Sequence, residues 1–197
     1  MFTGIVEEMG TVVEVVDLGG VTRLTIESDR IAAGLRVGDS VACNGVCLTA
    51  VAVGDEGFSV EAVPETLART NLGALAPGDG IDLERPLPAD GRFDGHIVQG
   101  HVDGVGVVRS VVPEGASARI WVDAPAELRR YLVEKGSVAV DGVSLTVSGV
   151  DEEGFEVVVI PHTREVTVLG SRFPGSLVNL EVDVLAKYVE RLMEERR

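Results

Sequence analysis

Polar and apolar positions alternate with a period of two along much of this chain. In Thr22-Arg23-Leu24-Thr25-Ile26 the leucine and isoleucine fall on one face and the polar residues on the other, and Ala118-Arg119-Ile120-Trp121-Val122 repeats the arrangement. Such alternation sets one face of a strand against a core and the other towards solvent. Valine-rich stretches of this kind occupy 10–16, 22–26, 46–53, 58–63, 105–112, 118–122, 145–150 and 155–160, separated by Gly, Asp or Pro. Many short strands at close spacing predict a small barrel or sandwich in each half of the chain. A barrel fits better, because closure removes valine-rich edges that would otherwise pair with other chains.

Four stretches break the pattern. Residues 123–132 predict a helix with Asp123 as N-cap and Pro125 in the first turn, and residues 28–35 a weaker counterpart. Residues 84–95, with Pro86, Pro88, Gly91 and Gly95, read as a linker. Over 184–197 the apolar residues Val184, Leu185, Tyr188, Val189, Leu192 and Met193 recur on one helical stripe. That terminal helix either docks on its own barrel or packs against copies of itself.

The chain also matches itself. At an offset of 97 residues, SVACNGVCLT at 40–49 and SVAVDGVSLT at 137–146 share seven of ten positions, where composition alone would give about one. The match runs on through PET against PHT and IDLE against VNLE. Near the start, Gly4, Val6, Glu7 and Gly10 align with Gly100, Val102, Asp103 and Gly106 at an offset of 96, so one residue was gained or lost in between. The same domain therefore occurs twice. Two like pockets suit a protein that handles two similar molecules.

Asn44-Gly45 and Asp141-Gly142 are equivalent two-residue hairpin turns. The first sets Cys43 opposite Val46 and Cys47 opposite Ala42, which leaves both thiols reduced. Three histidines spread along the chain give no metal-ligand spacing. A net charge of −15 repels phosphate backbones, which argues against nucleic acid as a partner. No apolar run approaches the ~20 residues of a membrane helix, and Met1 leads directly into a strand-like FTGIV. The expectation is a soluble, cytoplasmic protein with no membrane partner.

MFTGIVEE, NGVCLT, ETLARTNLG, GHIVQGHVDG, KGSVAVDGVSLTV and IPHT together resemble riboflavin synthase, a family built from two lumazine-binding repeats. The likeness covers residues 1 to about 187 in order. It implies an all-β fold with a C-terminal helix: two similar six-stranded Greek-key β-barrels at 1–89 and 90–184, and an oligomerisation helix at 185–197. It implies a transferase acting in riboflavin biosynthesis, which dismutates two 6,7-dimethyl-8-ribityllumazine molecules, two per active site, into riboflavin and 5-amino-6-ribitylamino-2,4-pyrimidinedione without cofactor or metal. It further implies a homotrimer with sites between subunits, and an association with lumazine synthase as a possible partner. Two other readings are a non-catalytic lumazine- or flavin-binding antenna and the flavin barrel of a reductase. The reductase reading needs a nicotinamide domain, for which no room is expected beside the two repeats.

By this resemblance the catalytic candidates are His101, Ser144, Cys47, Lys135, Asp183 and Ser40. Substrate contacts fall to Gly4, Ile5, Val6, Cys47, Leu48, Thr49, Glu61, Ala62, Val63, Pro64, Glu65 and Thr66 from the first repeat. From the second come Gly100, His101, Val102, Lys135, Ser144, Leu145, Thr146, Ile160, Pro161, His162, Thr163, Arg164 and Glu165. Paired hydroxyls at Ser40 and Ser137, Thr49 and Thr146, and Thr66 and Thr163 suit a ribityl chain. The repeats differ where Cys47 meets Ser144, Glu65 meets His162, Gly38 meets Lys135, and Ile5 meets His101. One pocket is thus expected to hold a thiol and a carboxylate, the other a hydroxyl, two imidazoles and an ammonium. His101 is the leading acid/base, since an imidazole transfers protons near neutrality. Cys47 and Ser144 are candidate nucleophiles or water-orienting groups. Lys135 either steadies negative charge on the pyrimidine ring or is a solvated surface charge, and Asp183 either orients a partner or caps the terminal helix. His96 is expected in the linker, structural or exposed, and Trp121 in the core.

Overall fold

In the computed structural model, which describes residues 1–194, each repeat closes on itself. β1 (Glu8–Asp17), β2 (Thr22–Glu27), β3 (Ser40–Cys43), β4 (Val46–Val53), β5 (Gly57–Ala62) and β6 (Gly80–Glu84) form an antiparallel barrel in the order β1-β2-β5-β4-β3-β6. β7 (Gly104–Glu114), β8 (Ser117–Asp123), β9 (Ser137–Val140), β10 (Val143–Val150), β11 (Gly154–Val159) and β12 (Leu177–Val182) form the second in the same cyclic order. The inward halves of the alternating strands fill each barrel. Leu24, Ile26, Phe58 and Val60 sit in the first core, and their counterparts Ile120, Val122, Phe155 and Val157 in the second. Fully burying one such side chain contributes about 1.5–3 kcal/mol.

The hairpins hold as the sequence predicts. Cys43 pairs with Val46 and Ala42 with Cys47, and positive φ at Asn44, Gly45, Asp141 and Gly142 gives both turns the backbone hand that a tight hairpin needs. The gained residue lies between the second and third strands of the repeats. There the predicted helix over 123–132 does not form: the chain runs through turns into one 3-10 turn at Arg129–Tyr131, while the weaker counterpart gives α1 (Asp29–Ala32). The cause is remote. Glu8 on β1 accepts the backbone N–H groups of Asp29, Arg30 and Ile31 and the Ser28 hydroxyl at 2.6–3.1 Å, and the second repeat has Gly104 at that position.

α2 (Pro64–Arg69) and α3 (Pro161–Val166) follow β5 and β11, each with Pro at its first turn. α4 (Val184–Glu194) follows the second barrel; its expected last residues, 195–197, lie outside the described ones. Its apolar stripe is uncovered, with Leu185, Tyr188, Val189, Leu192 and Met193 all more than half exposed. Polar contacts tie the helix to barrel 2, through Lys187 to Asp103 and through Glu190 to Arg130 and Tyr131. No described helix is long and apolar enough to cross a membrane.

The barrels meet across an approximate two-fold. Phe2 pairs antiparallel with Val98, and the Gly45 turn abuts the Gly142 turn. Phe2, Val98, Ala42 and Ala139 form a small buried core between them. Beside it lies a polar seam. Asp141 accepts from Arg172 at 2.6 Å, from Asn71 at 2.7 Å and from the Asn179 backbone at 2.8 Å, and Asp82 accepts from the Val168 backbone at 2.8 Å.

Candidate active site

Each barrel mouth is completed by a loop from the other repeat. The Cys47 backbone N–H donates to the Gly100 carbonyl at 2.9 Å, and the Ser144 backbone N–H donates to the Gly4 carbonyl at 2.7 Å. Val102 packs on the core of barrel 1 and Val6 on that of barrel 2. The expected partition of the pockets is therefore wrong in one respect. His101 arrives beside Cys47, and Ile5 beside Ser144. The exchange is invisible in the linear repeat, where Gly4 and Cys47 belong to one unit.

Buried carboxylates fix both loops. Glu84 accepts from the Thr3 and Gly4 backbone at 2.7 and 3.0 Å and from the Thr3 hydroxyl at 3.0 Å. Its counterpart Glu181 accepts from Gln99, Gly100 and His101 backbone N–H groups at 2.6–2.9 Å. Burial pushes both carboxyls above the usual range, partly offset by these donors. The close approach requires glycine. A Cβ on Gly4 would stand 2.6 Å from that of Ser144, and one on Gly100 2.6 Å from that of Cys47, with φ of 78° and 79°.

At the first mouth, Cys47, Leu48 and Thr49 lie on β4, with Ser40 paired opposite Thr49. Glu61 and Ala62 end β5, Val63 precedes α2, and Pro64, Glu65 and Thr66 open that helix. Arg23 binds Glu61 at 2.6 Å, and Arg69 binds Glu65. Cys47 is half-buried, whereas full burial drives the Cys43 thiol far above its ordinary range and keeps it protonated. At the second mouth, Ser144, Leu145 and Thr146 lie on β10, Ile160 precedes α3, and Pro161 to Glu165 form it. Arg164 and Glu165 turn into a cleft of about 750 Å³ between the barrels, shared with Arg172 and Phe173. Lys135 stands exposed in the turn before β9, with φ of 65°.

His96 is the residue that the linker reading missed. It is 7% exposed, and its Nδ1 lies 2.7 Å from the Ser144 hydroxyl, while Nε2 has no partner among the described residues. Burial lowers its pKa, opposed by the charge of Asp183. Asp183 also caps α4, accepting from the Leu185 backbone at 2.9 Å. The repeat alignment explains why His96 is easily overlooked: its counterpart in the first repeat would fall before Met1. Among the described residues, only the second mouth has a hydroxyl–imidazole pair. Trp121 is not in the core; it lies half-buried on the outer wall of barrel 2.

Residues 3–86 and 99–183 match the lumazine binding domain. The chain is 52% identical over 197 residues to the riboflavin synthase of Mycobacterium bovis, covering 98% of each chain. It is 39% identical over 195 residues to that of Bacillus subtilis, covering 99% of this chain and 91% of the relative. Among solved structures it is similar to LumP complexed with riboflavin, with a TM-score of 0.86 at 22% identity over 92% of this chain and 99% of that one. LumP complexed with 6,7-dimethyl-8-(1'-D-ribityl) lumazine gives 0.84 at 21% identity over the same shares.

Proposed function

The chain belongs to the riboflavin synthase family and carries the lumazine binding domain twice, and we infer its reaction from that membership and from the two unequal mouths. Two 6,7-dimethyl-8-ribityllumazine molecules dismutate: one passes a four-carbon unit to the other, giving riboflavin and 5-amino-6-ribitylamino-2,4-pyrimidinedione. The protein is a transferase that needs no metal or cofactor. The observation that carries this reading is a site built twice on one scaffold with different chemistry in each copy. Identical substrates need like pockets, and donor and acceptor need unlike reactive groups. Holding both in reacting geometry contributes ~7–11 kcal/mol towards a bimolecular barrier.

At the first mouth His101 is the acid/base for the acidic 7-methyl group, with its backbone gripped by Glu181 and Cys47 opposite its loop. At the second, Ser144 attacks or orients water, and His96 holds its hydroxyl. Lys135 steadies negative charge on a pyrimidine ring, and Asp183 acts on His96 through its charge. Ser40, Thr49, Thr66, Thr146 and Thr163 bind the ribityl hydroxyls with the backbone of the two exchanged loops. The ligands in LumP support this class of bound molecule.

The site is completed between subunits of a homotrimer, with a repeat of one chain facing a repeat of the next. The uncovered apolar stripe of α4 supports this assembly. The protein is cytoplasmic and works beside the enzyme that makes the lumazine, lumazine synthase. Incubation with the lumazine alone is expected to yield riboflavin fluorescence. A tight complex that keeps the lumazine spectrum, with no riboflavin, contradicts the reading and favours an antenna.

A further inference from the structure

The repeats also differ on their outer walls. In the closed order, β2 and β5 lie across the barrel from β3 and β6, where Asn44, just after β3, and Asp82 of β6 face the seam. On barrel 2 an outward row of Ser110, Trp121, Glu156 and Gly149 crosses four paired strands. The Trp121 ring lies over Gly149, where an added Cβ would meet it at 3.7 Å. The Arg109 guanidinium stands 5.3 Å from the ring centroid. Arg109 also binds Asp123, Asp151 at 2.6 Å and Glu153 at 3.3 Å. One ring and one cation thus cover this wall and bind its carboxylates.

The same row on barrel 1 reads Glu14, Thr25, Ser59 and Ala52. Thr25 stands in place of the indole, and Val13, at the matching bulge, in place of Arg109. The wall is left as an open groove of about 520 Å³ lined by Val13, Thr25, Glu27, Ala52, Glu56 and Ser59. That volume is typical of small-molecule sites. Glu27 and Glu56 occupy the positions of Asp123 and Glu153, yet neither forms an ion pair among the described residues. Judged against its duplicate in the same chain, the groove lacks one flat ring and one positive charge.

We propose that this groove binds a planar aromatic cation, a bicyclic ring of indole size that carries a protonated amine. The ring lies over Ala52 beside Val13 and Thr25, as Trp121 lies over Gly149. The amine pairs with Glu27 and Glu56, as Arg109 does with Asp123 and Glu153. A net charge of −15 favours the approach of a cation. This ligand differs in kind from the neutral lumazine, and the groove sits at the start of β5, whereas the first mouth sits at its end.

Tryptamine is the probe, followed by backbone amide NMR shifts of the full-length protein. Shifts are expected at Val13, Thr25, Glu27 and Glu56. Indole-3-acetate lacks the positive charge and butylamine lacks the ring; each is expected to bind about tenfold more weakly or worse. Thr25→Trp restores the barrel-2 ring and Val13→Arg its cation, and each should weaken tryptamine by about tenfold while riboflavin formation stays unchanged. Equal affinity for the three ligands, shifts centred on Cys47 or Ser144, or tryptamine binding that survives both substitutions overturns the proposal.

Discussion

Gly4 and Gly100 leave no room for a single methyl group. Each holds a left-handed backbone against a side chain of the other repeat, so Gly100→Ala meets both backbone strain and a clash with Cys47. The expected loss is about 1–3 kcal/mol in urea unfolding, with a larger fall in turnover because the His101 loop is displaced. Unfolding and kinetics matching the parent would remove the exchanged-loop account. Asp82 offers a pH test at the same scale. Burial, with the nearby Asp141 charge adding to it, raises its pKa well above the ordinary value, and its Oδ2 has no partner among the described residues. Burial raises the Asp141 carboxyl as well, but Arg172 and its other donors offset much of that, so of the two Asp82 takes the proton first. The folded state favours protonated Asp82; its contribution is full below 3.8, the unfolded value, and is lost as pH rises through the folded value. The second repeat has Asn179 at this position. Asp82→Asn is therefore expected to flatten stability against pH and to add about 1–3 kcal/mol at pH 8. A calorimetric profile no flatter than the parent's would contradict the assignment.

At the scale of elements, α1 shows what a sequence window omits. Both helical stretches carry plausible caps at Ser28 and Asp123, yet only the stretch facing Glu8 becomes helical. The deciding carboxylate lies about twenty residues upstream on another strand, outside any local pattern. Burial raises the Glu8 pKa, but Ser28 and the three backbone donors outweigh it and leave it lowered. Its contribution is present above 4.5, the unfolded value, and is lost as pH falls through the folded value. Glu8→Ala is expected to cost about 1–2 kcal/mol at pH 7 and progressively less as pH falls below 4.5, as thermal melts over a pH series can read. The strands were legible, by contrast, because alternation and the Asn44-Gly45 and Asp141-Gly142 turns are local signals. The repeated segments that line both mouths were legible as well, since SVA, LT and PET or PHT recur at a fixed offset. The pairing between mouths and loops was not, because the crossing of Gly4 to Ser144 and Gly100 to Cys47 depends on how whole barrels dock.

For the whole molecule, duplication and asymmetry act together. The two-fold at Phe2 and Val98 joins the repeats, and in the proposed reaction the differences at Cys47 and Ser144, with His96 beside the serine, separate their tasks. The exposed stripe on α4 belongs to this scale too. Leu192→Glu is expected to shift the mass in solution from three chains to one, and to lower turnover at sites shared between subunits; a parent that is already monomeric would contradict the trimer. The central claim is that one chain treats two copies of one substrate differently, and quantifying both products from the lumazine alone tests it most directly. The expected result is one riboflavin and one pyrimidinedione for every two lumazines consumed. Riboflavin formed one for one with the lumazine consumed, or formed without the pyrimidinedione, would contradict it.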